Sequence, residues 1–186
     1  MNIKKITAII AALAVSVTAV SVTVFAAGTK VPITEKYFPD EVFREYVSEN
    51  FDADGNGFLS QKERDAVTKI SVSEMKIKSL KGLQYFKNLE YLYCDNNDIA
   101  ELDVSKNTKL ECIQCYNNKL TKLDLSKNTQ LKALDCGCNQ LTKLDVSKCT
   151  ELKELYCEEN QLTELDLSGC TELMYYECDE NVKIIK

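Results

Sequence analysis

The chain has 186 residues, a formal charge of −6, nine cysteines, and neither histidine nor tryptophan. Without histidine there is no Ser-His-Asp or Cys-His catalysis, no HExxH zinc site and no imidazole pH switch. The length suits one domain, and an acidic chain without a basic cluster is poorly matched to nucleic acid or an anionic membrane.

In chain order, a leader comes first. "MNIKK" is a basic start, Ile6 to Val24 is apolar apart from Ser and Thr, and the small residues of "VFAAG" follow. This pattern predicts a secretory signal peptide over 1–26, cut after Ala26. An uncleaved anchor is the alternative, since a run of about 19 apolar residues just spans a bilayer. Cleavage removes Lys4 and Lys5, takes the charge from −6 to −8, and implies a secreted or extracellular product, cell-surface association included. No membrane segment would then remain.

Residues 27–66 are expected to form a small helical cap. Pro39 followed by Asp40 and Glu41 reads as a helix start, and Val42, Phe43, Tyr46 and Val47 give it an apolar face. The stretch 52–63 then reads "DADGNGFLSQKE". Oxygen donors fall at loop positions 1, 3, 5, 9 and 12, with Gly57 at the sharp turn and the apolar Leu59 at position 8. This is the pattern of an EF-hand-type loop. The expected ligands of one structural calcium are Asp52, Asp54, Asn56, the Phe58 carbonyl, Ser60 and a bidentate Glu63. A capping box of Ser60 and Glu63, or a plain polar turn, is the competing reading.

Repeats follow from residue 67. Units starting at Leu89, Leu110, Leu131, Leu152 and Leu173 align at 21-residue intervals on L-x-x-L-x-C-x-x-N-x-L-T-x-L-D-L-S-x-N-T-x. The first eleven positions resemble a leucine-rich repeat, with Cys in the third apolar slot. The upstream 22-residue unit "VTKISVSEMKIKSLKGLQYFKN" resembles the internalin form of it. The chain is similar to secreted bacterial leucine-rich repeat proteins with internalin-like repeats. The expected fold is an α/β repeat solenoid with a parallel sheet behind the helical EF-hand-like cap. The rungs are 67–88, 89–109, 110–130, 131–151, 152–172 and a partial 173–186. Period-2 alternation sends position 4 and Cys at position 6 inward and positions 3, 5 and 7 outward. Asn97, Asn118, Asn139, Asn160 and Asn181 at position 9 are expected to satisfy turn backbone as a ladder. The last rung fits only with one residue deleted.

Five cysteines (Cys94, Cys115, Cys136, Cys157 and Cys178) occupy position 6 and are read as packing residues. Cys149 and Cys170 share position 19 one rung apart, within disulfide range; stacked buried thiols explain them equally well. Cys112 and Cys138 are expected to be the exposed thiols.

The outward positions give a tyrosine-rich, acidic sheet face: Tyr91, Tyr93, Tyr116, Asp135, Glu154, Tyr156, Glu158 and Tyr175. Tyrosine offers large contact area at low entropic cost. The function expected is a non-catalytic, monomeric, secreted or cell-surface binding module with a protein ligand, a glycan being second choice. One alternative is a thiol-dependent enzyme or redox protein using Cys112 or Cys138. Another is a structural accessory fragment without a dedicated ligand.

Overall fold

The computed structural model describes residues 30–186, so the expected signal peptide lies outside the described residues. Among the described residues no helix is long and apolar enough to cross a membrane. The chain enters through β1 (Val31–Pro32), which pairs antiparallel with β2 (Phe58–Leu59). Strand β2 lies between α1 (Glu41–Phe51) and α2 (Gln61–Ala66). Asp40 caps α1 by accepting from the Phe43 amide at 3.1 Å, which leaves Pro39 one residue before the cap instead of in the first turn. Phe43 and Val47, four residues apart, are buried; Val42 and Tyr46 flank them half-buried.

The cap seats on the first rung. Phe38 stacks edge-on to Phe43 at 6.0 Å and meets Phe86 at 6.3 Å, while Phe51 lies 5.3 Å from Phe86. Gly82 is required here: its φ of 123° is left-handed, and a Cβ would strike the Phe38 ring. Polar contacts add to this seat. The second Asp40 oxygen accepts from the amides of Lys78 and Ser79 at 2.8 and 3.3 Å, and Tyr46 Oη accepts from the Ser71 amide.

Beyond the cap, β3 (Lys69–Ser71), β4 (Tyr91–Tyr93), β5 (Cys112–Gln114), β6 (Ala133–Asp135), β7 (Glu154–Tyr156) and β9 (Tyr175–Glu177) form one parallel sheet in chain order. The register is the repeat length. Leu92 pairs with Ile113, Ile113 with Leu134, Leu134 with Leu155 and Leu155 with Tyr176. The 22-residue first unit likewise sets Ile70 beside Leu92. The helices of this solenoid lie in the cap, and a short 3₁₀ turn (Leu83–Tyr85) stands in the first rung.

The core runs along the stack. Leu89, Leu110, Leu131 and Leu152 at position 1 are fully buried, and so are the strand centres from Ile70 to Leu155. The back of each rung closes it with Leu or Val at positions 14 and 16, such as Leu123 and Leu125. Each buried leucine contributes about 1.5–3 kcal/mol relative to an exposed one. No single rung could cover these residues alone, so stability is shared between neighbours.

Two polar columns cross the apolar core. At position 9, Asn118 accepts from the Ile99 amide at 3.0 Å and donates to the carbonyls of Cys94, Cys115 and Tyr116. Asn97, Asn139 and Asn160 repeat this arrangement. Asn181 does not join them. It is exposed, and the Asp179 carboxylate instead accepts from the amides of Glu159 and Asn160. At position 19, Asn128 donates to the Val104 carbonyl at 3.3 Å, and the Cys170 thiol makes the equivalent contact to Val146 at 3.6 Å. All nine cysteines, Cys149 and Cys170 among them, are free in the structure. The two side chains occupy stacked buried slots that asparagine fills in earlier rungs.

The final rung is shorter than expected by one further residue. Strand β10 (Lys183–Ile185) pairs with β8 (Glu164–Asp166) on the back, setting Ile184 beside Leu165. That step is 19 residues where the regular one is 21, so two residues are missing, and Ile184 instead of Ile185 takes the inward slot.

Candidate functional site

Two places carry chemistry, the sheet face and the cap loop. On the face, strands of three residues leave their first and last side chains outside and their centre inside, so Tyr91, Tyr93, Asp135, Glu154, Tyr156 and Tyr175 stand on one surface. Tyr116 and Glu158 continue it just past β5 and β7. The rings of Tyr156 and Tyr175 are 5.4 Å apart, and Tyr175 Oη donates to Glu177 at 3.1 Å. Lys69, on the first strand, sits 4.8 Å from the Tyr93 ring centre and was not foreseen as part of the face. Only the first rung's strand register could have revealed it.

The electrostatics of the face are unbalanced. Burial, and then the charge of Asp95, push the Asp135 carboxyl above its usual range. Burial likewise raises Glu158, with Asp135, Glu177 and Asp179 adding repulsion. Glu158 Oε2 is buried without a hydrogen-bond partner. Tyr116, hydrogen-bonded to Cys138, is pushed up to about 12.

The thiols are not activated. Cys112 and Cys115 flank Ile113 and Gln114, with Cys112 half-exposed on the face and Cys115 1% exposed in the core. Residues three apart on a strand point to opposite sides, so the two sulfurs do not meet. Burial raises Cys112, and Glu154 and Asp135 raise it further. Cys138 is raised by burial and by Glu159, to which its thiol donates at 3.1 Å. A reactive thiolate needs the opposite, electropositive setting.

In the cap loop, carboxylate oxygens of Asp52, Asp54 and Glu63 lie within 4.8 Å of one another. Asp52 shapes the turn by accepting from the amides of Asn56 and Gly57 at 3.1 and 2.8 Å, and Gly57 has a φ of 78° that suits glycine. Glu63 accepts from Ser60 Oγ at 2.6 Å and from the amides of Ser60 and Ala53, which hold its carboxyl below the usual range. The capping box and the acidic cluster therefore coexist, since Glu63 serves both. Asn56 Oδ1 accepts from the Phe58 amide, and Phe58 itself opens the strand that pairs with β1. The Leu59 side chain is fully buried beneath the loop.

Among solved structures, the functional domain of InlJ from Listeria monocytogenes, described as including a cysteine ladder, is 36% identical with a TM-score of 0.78. The match covers 87% of this chain and 36% of that one, so the chain spans about a third of that domain's length. An internalin, InlF, of the same organism is 22% identical with a TM-score of 0.61, over 87% of this chain and 62% of that one. A leucine-rich repeat protein of Leptospira interrogans is 24% identical over 54% of this chain and 27% of that one, with a TM-score of 0.51. No family model and no curated protein matches the chain. Over most of its described length, then, the chain is a parallel-sheet leucine-rich repeat solenoid similar to the internalins.

Proposed function

We propose that the protein is a secreted or cell-surface binding module whose sheet face holds a protein ligand, with one structural calcium in the cap loop. The observation that carries this is the register. Successive strands advance by one repeat, so outward tyrosines and carboxylates from five rungs line up on one uninterrupted surface. Such a surface offers broad, pre-formed area, and tyrosine loses little rotamer freedom on contact. The likeness to the InlJ functional domain supports a role in recognition, and the unactivated thiols turn the reading away from thiol chemistry. The test is a pull-down from the surrounding medium or host surface with wild type and with Tyr91, Tyr93, Tyr116 and Tyr156 all changed to Ser. A specific ligand retained by wild type and lost by the variant is expected; equal retention would remove the sheet face from consideration.

Calcium fits the donor set of the loop. Asp52, Asp54, Asn56, the Phe58 carbonyl, Ser60 and Glu63 are hard oxygen ligands of the kind calcium prefers. The ion supplies positive charge that neutralises the three clustered carboxylates. In return the loop draws α1 and α2 together over the first rung, which keeps the core edge covered. Thermal melting in calcium against chelator checks this, with a higher Tm expected in calcium for wild type. Asp52→Asn, which keeps the shape of the side chain but gives up one of its two accepting oxygens, should show the same Tm in both buffers, at or below the chelated wild-type value.

A further inference from the structure

The chemistry of the partner can be read from what the sheet face lacks. Asp135 on β6, Glu158 just after β7 and Glu177 on β9 stand on neighbouring rungs. Among the described residues the ion pairs join Lys119 to Asp98, Lys132 to Glu111 and Lys153 to Glu172, none of them on this patch. Lys69 is at the far end of the sheet, over Tyr93.

Glu158 is held in an unusual way. It lies across Gly137, where an added Cβ would come within 2.9 Å of its Oε1 and 3.2 Å of the Tyr116 ring. Its other oxygen is buried and receives no hydrogen bond. The Tyr116 ring stands beside it at Gly137, and Tyr156 with Tyr175, 5.4 Å apart, stand on the same sheet face on β7 and β9. A carboxylate with an unmet acceptor, acidic neighbours, a ring beside it and further rings on the same face is complementary to a flat cation with several N–H donors. Guanidinium meets all three demands, since it bonds carboxylates in a fork and stacks on rings. An ammonium supplies the charge alone.

Resting on the binding-face reading above, we propose that the sheet face docks an arginine-bearing segment of a partner protein, with a guanidinium seated over Glu158 and Asp135 between the tyrosines. The charge complementarity makes the docking selective for arginine over lysine and sensitive to salt.

The test titrates the full chain with a hexa-arginine peptide, using hexa-lysine and hexa-citrulline peptides as controls, followed by calorimetry at two salt concentrations. Hexa-arginine is expected to bind at least about tenfold more tightly than hexa-lysine, and hexa-citrulline not measurably. The Glu158→Gln, Asp135→Asn double variant should lose at least about tenfold for hexa-arginine, while Glu101→Gln with Glu164→Gln on the back of the solenoid changes little. Equal affinity for arginine and lysine, equal loss in the back-face variant, or no binding would each overturn the proposal. The two readings fail separately. A ligand captured by wild type, lost by the tyrosine variant and bound through a segment without arginine would keep the binding module and end the arginine assignment.

Discussion

A single asparagine at position 9 does the work of several backbone partners, because one amide side chain offers both donors and acceptor inside a turn that water does not reach. Asn118 satisfies the Ile99 amide and three carbonyls at once. Removing it leaves the Ile99 amide buried without a partner, at about 1–3 kcal/mol, and takes one bond from each carbonyl, which Asn97, Asn139 and the Asn96 amide still serve. Asn118→Ala is therefore expected to lower unfolding free energy by about 3 kcal/mol in urea titration, while the exposed Asn181→Ala changes it by less than about 0.5 kcal/mol. Similar losses at both positions would mean that the ladder extends through the last turn after all. The position-19 column obeys a looser rule. The Oδ1 atoms of Asn107 and Asn128 are buried without partners, and cysteine keeps a weak form of the donor contact without the stranded oxygen. This accounts for asparagine giving way to Cys149 and Cys170 there while position 9 remains asparagine through Asn160.

Between elements, the cap and the first rung depend on contacts that no repeat period encodes. Asp40 joins them: one oxygen caps α1 at the Phe43 amide, and the other holds Lys78 and Ser79, 38 and 39 residues further on. Loss of an N-cap costs about 1 kcal/mol. Two partly exposed hydrogen bonds to a carboxylate should bring the Asp40→Ala cost to about 2 kcal/mol, measured as a shift in the denaturation midpoint at unchanged slope. A cost no larger than that of an isolated cap would show the link to the rung to be idle. Sequence made the rungs legible down to their register, because 21-residue spacing alone fixes which residues pair. It gave the outward and inward columns for the same reason, and it gave the carboxylate cluster of the cap loop through the spacing of 52–63. It did not reveal the Asp40 bridge, the Phe38–Phe86 seat or the pairing of Val31–Pro32 with the loop strand. Those join segments of different character that meet only after folding. The last rung was misjudged by one residue because both Ile184 and Ile185 are apolar, and only pairing with β8 decides between them.

For the whole molecule, the carboxylates with shifted titration fall into two groups with opposite effects on stability. Glu63 and the back-face residues Asp103, Asp124, Asp145 and Asp166 are held below their usual range, the last four by the serine two residues on. Their contribution is present above the unfolded pKa and is lost as pH falls through the lower folded values. Asp135 and Glu158 are raised, so the folded state takes up their protons first and stability falls as pH rises through their elevated values. The sum predicts a Tm maximum on the acid side of neutrality, between the lowered values of the first group and the raised values of the second. In the Glu158→Gln, Asp135→Asn variant the decline from that maximum to neutral pH should flatten, while the acid limb stays; a profile that keeps its decline would assign it to other groups. The constant 21-residue step has one more consequence, which concerns inheritance. Because Leu92, Ile113, Leu134 and Leu155 are interchangeable places in one ladder, an in-frame duplication of 110–130 would lengthen the sheet by one spacing of about 4.8 Å. It would leave the cap seat and the closing β8–β10 pair as they are. A gene of this kind can change the reach of its product by copying errors alone, without inventing a new fold at either end.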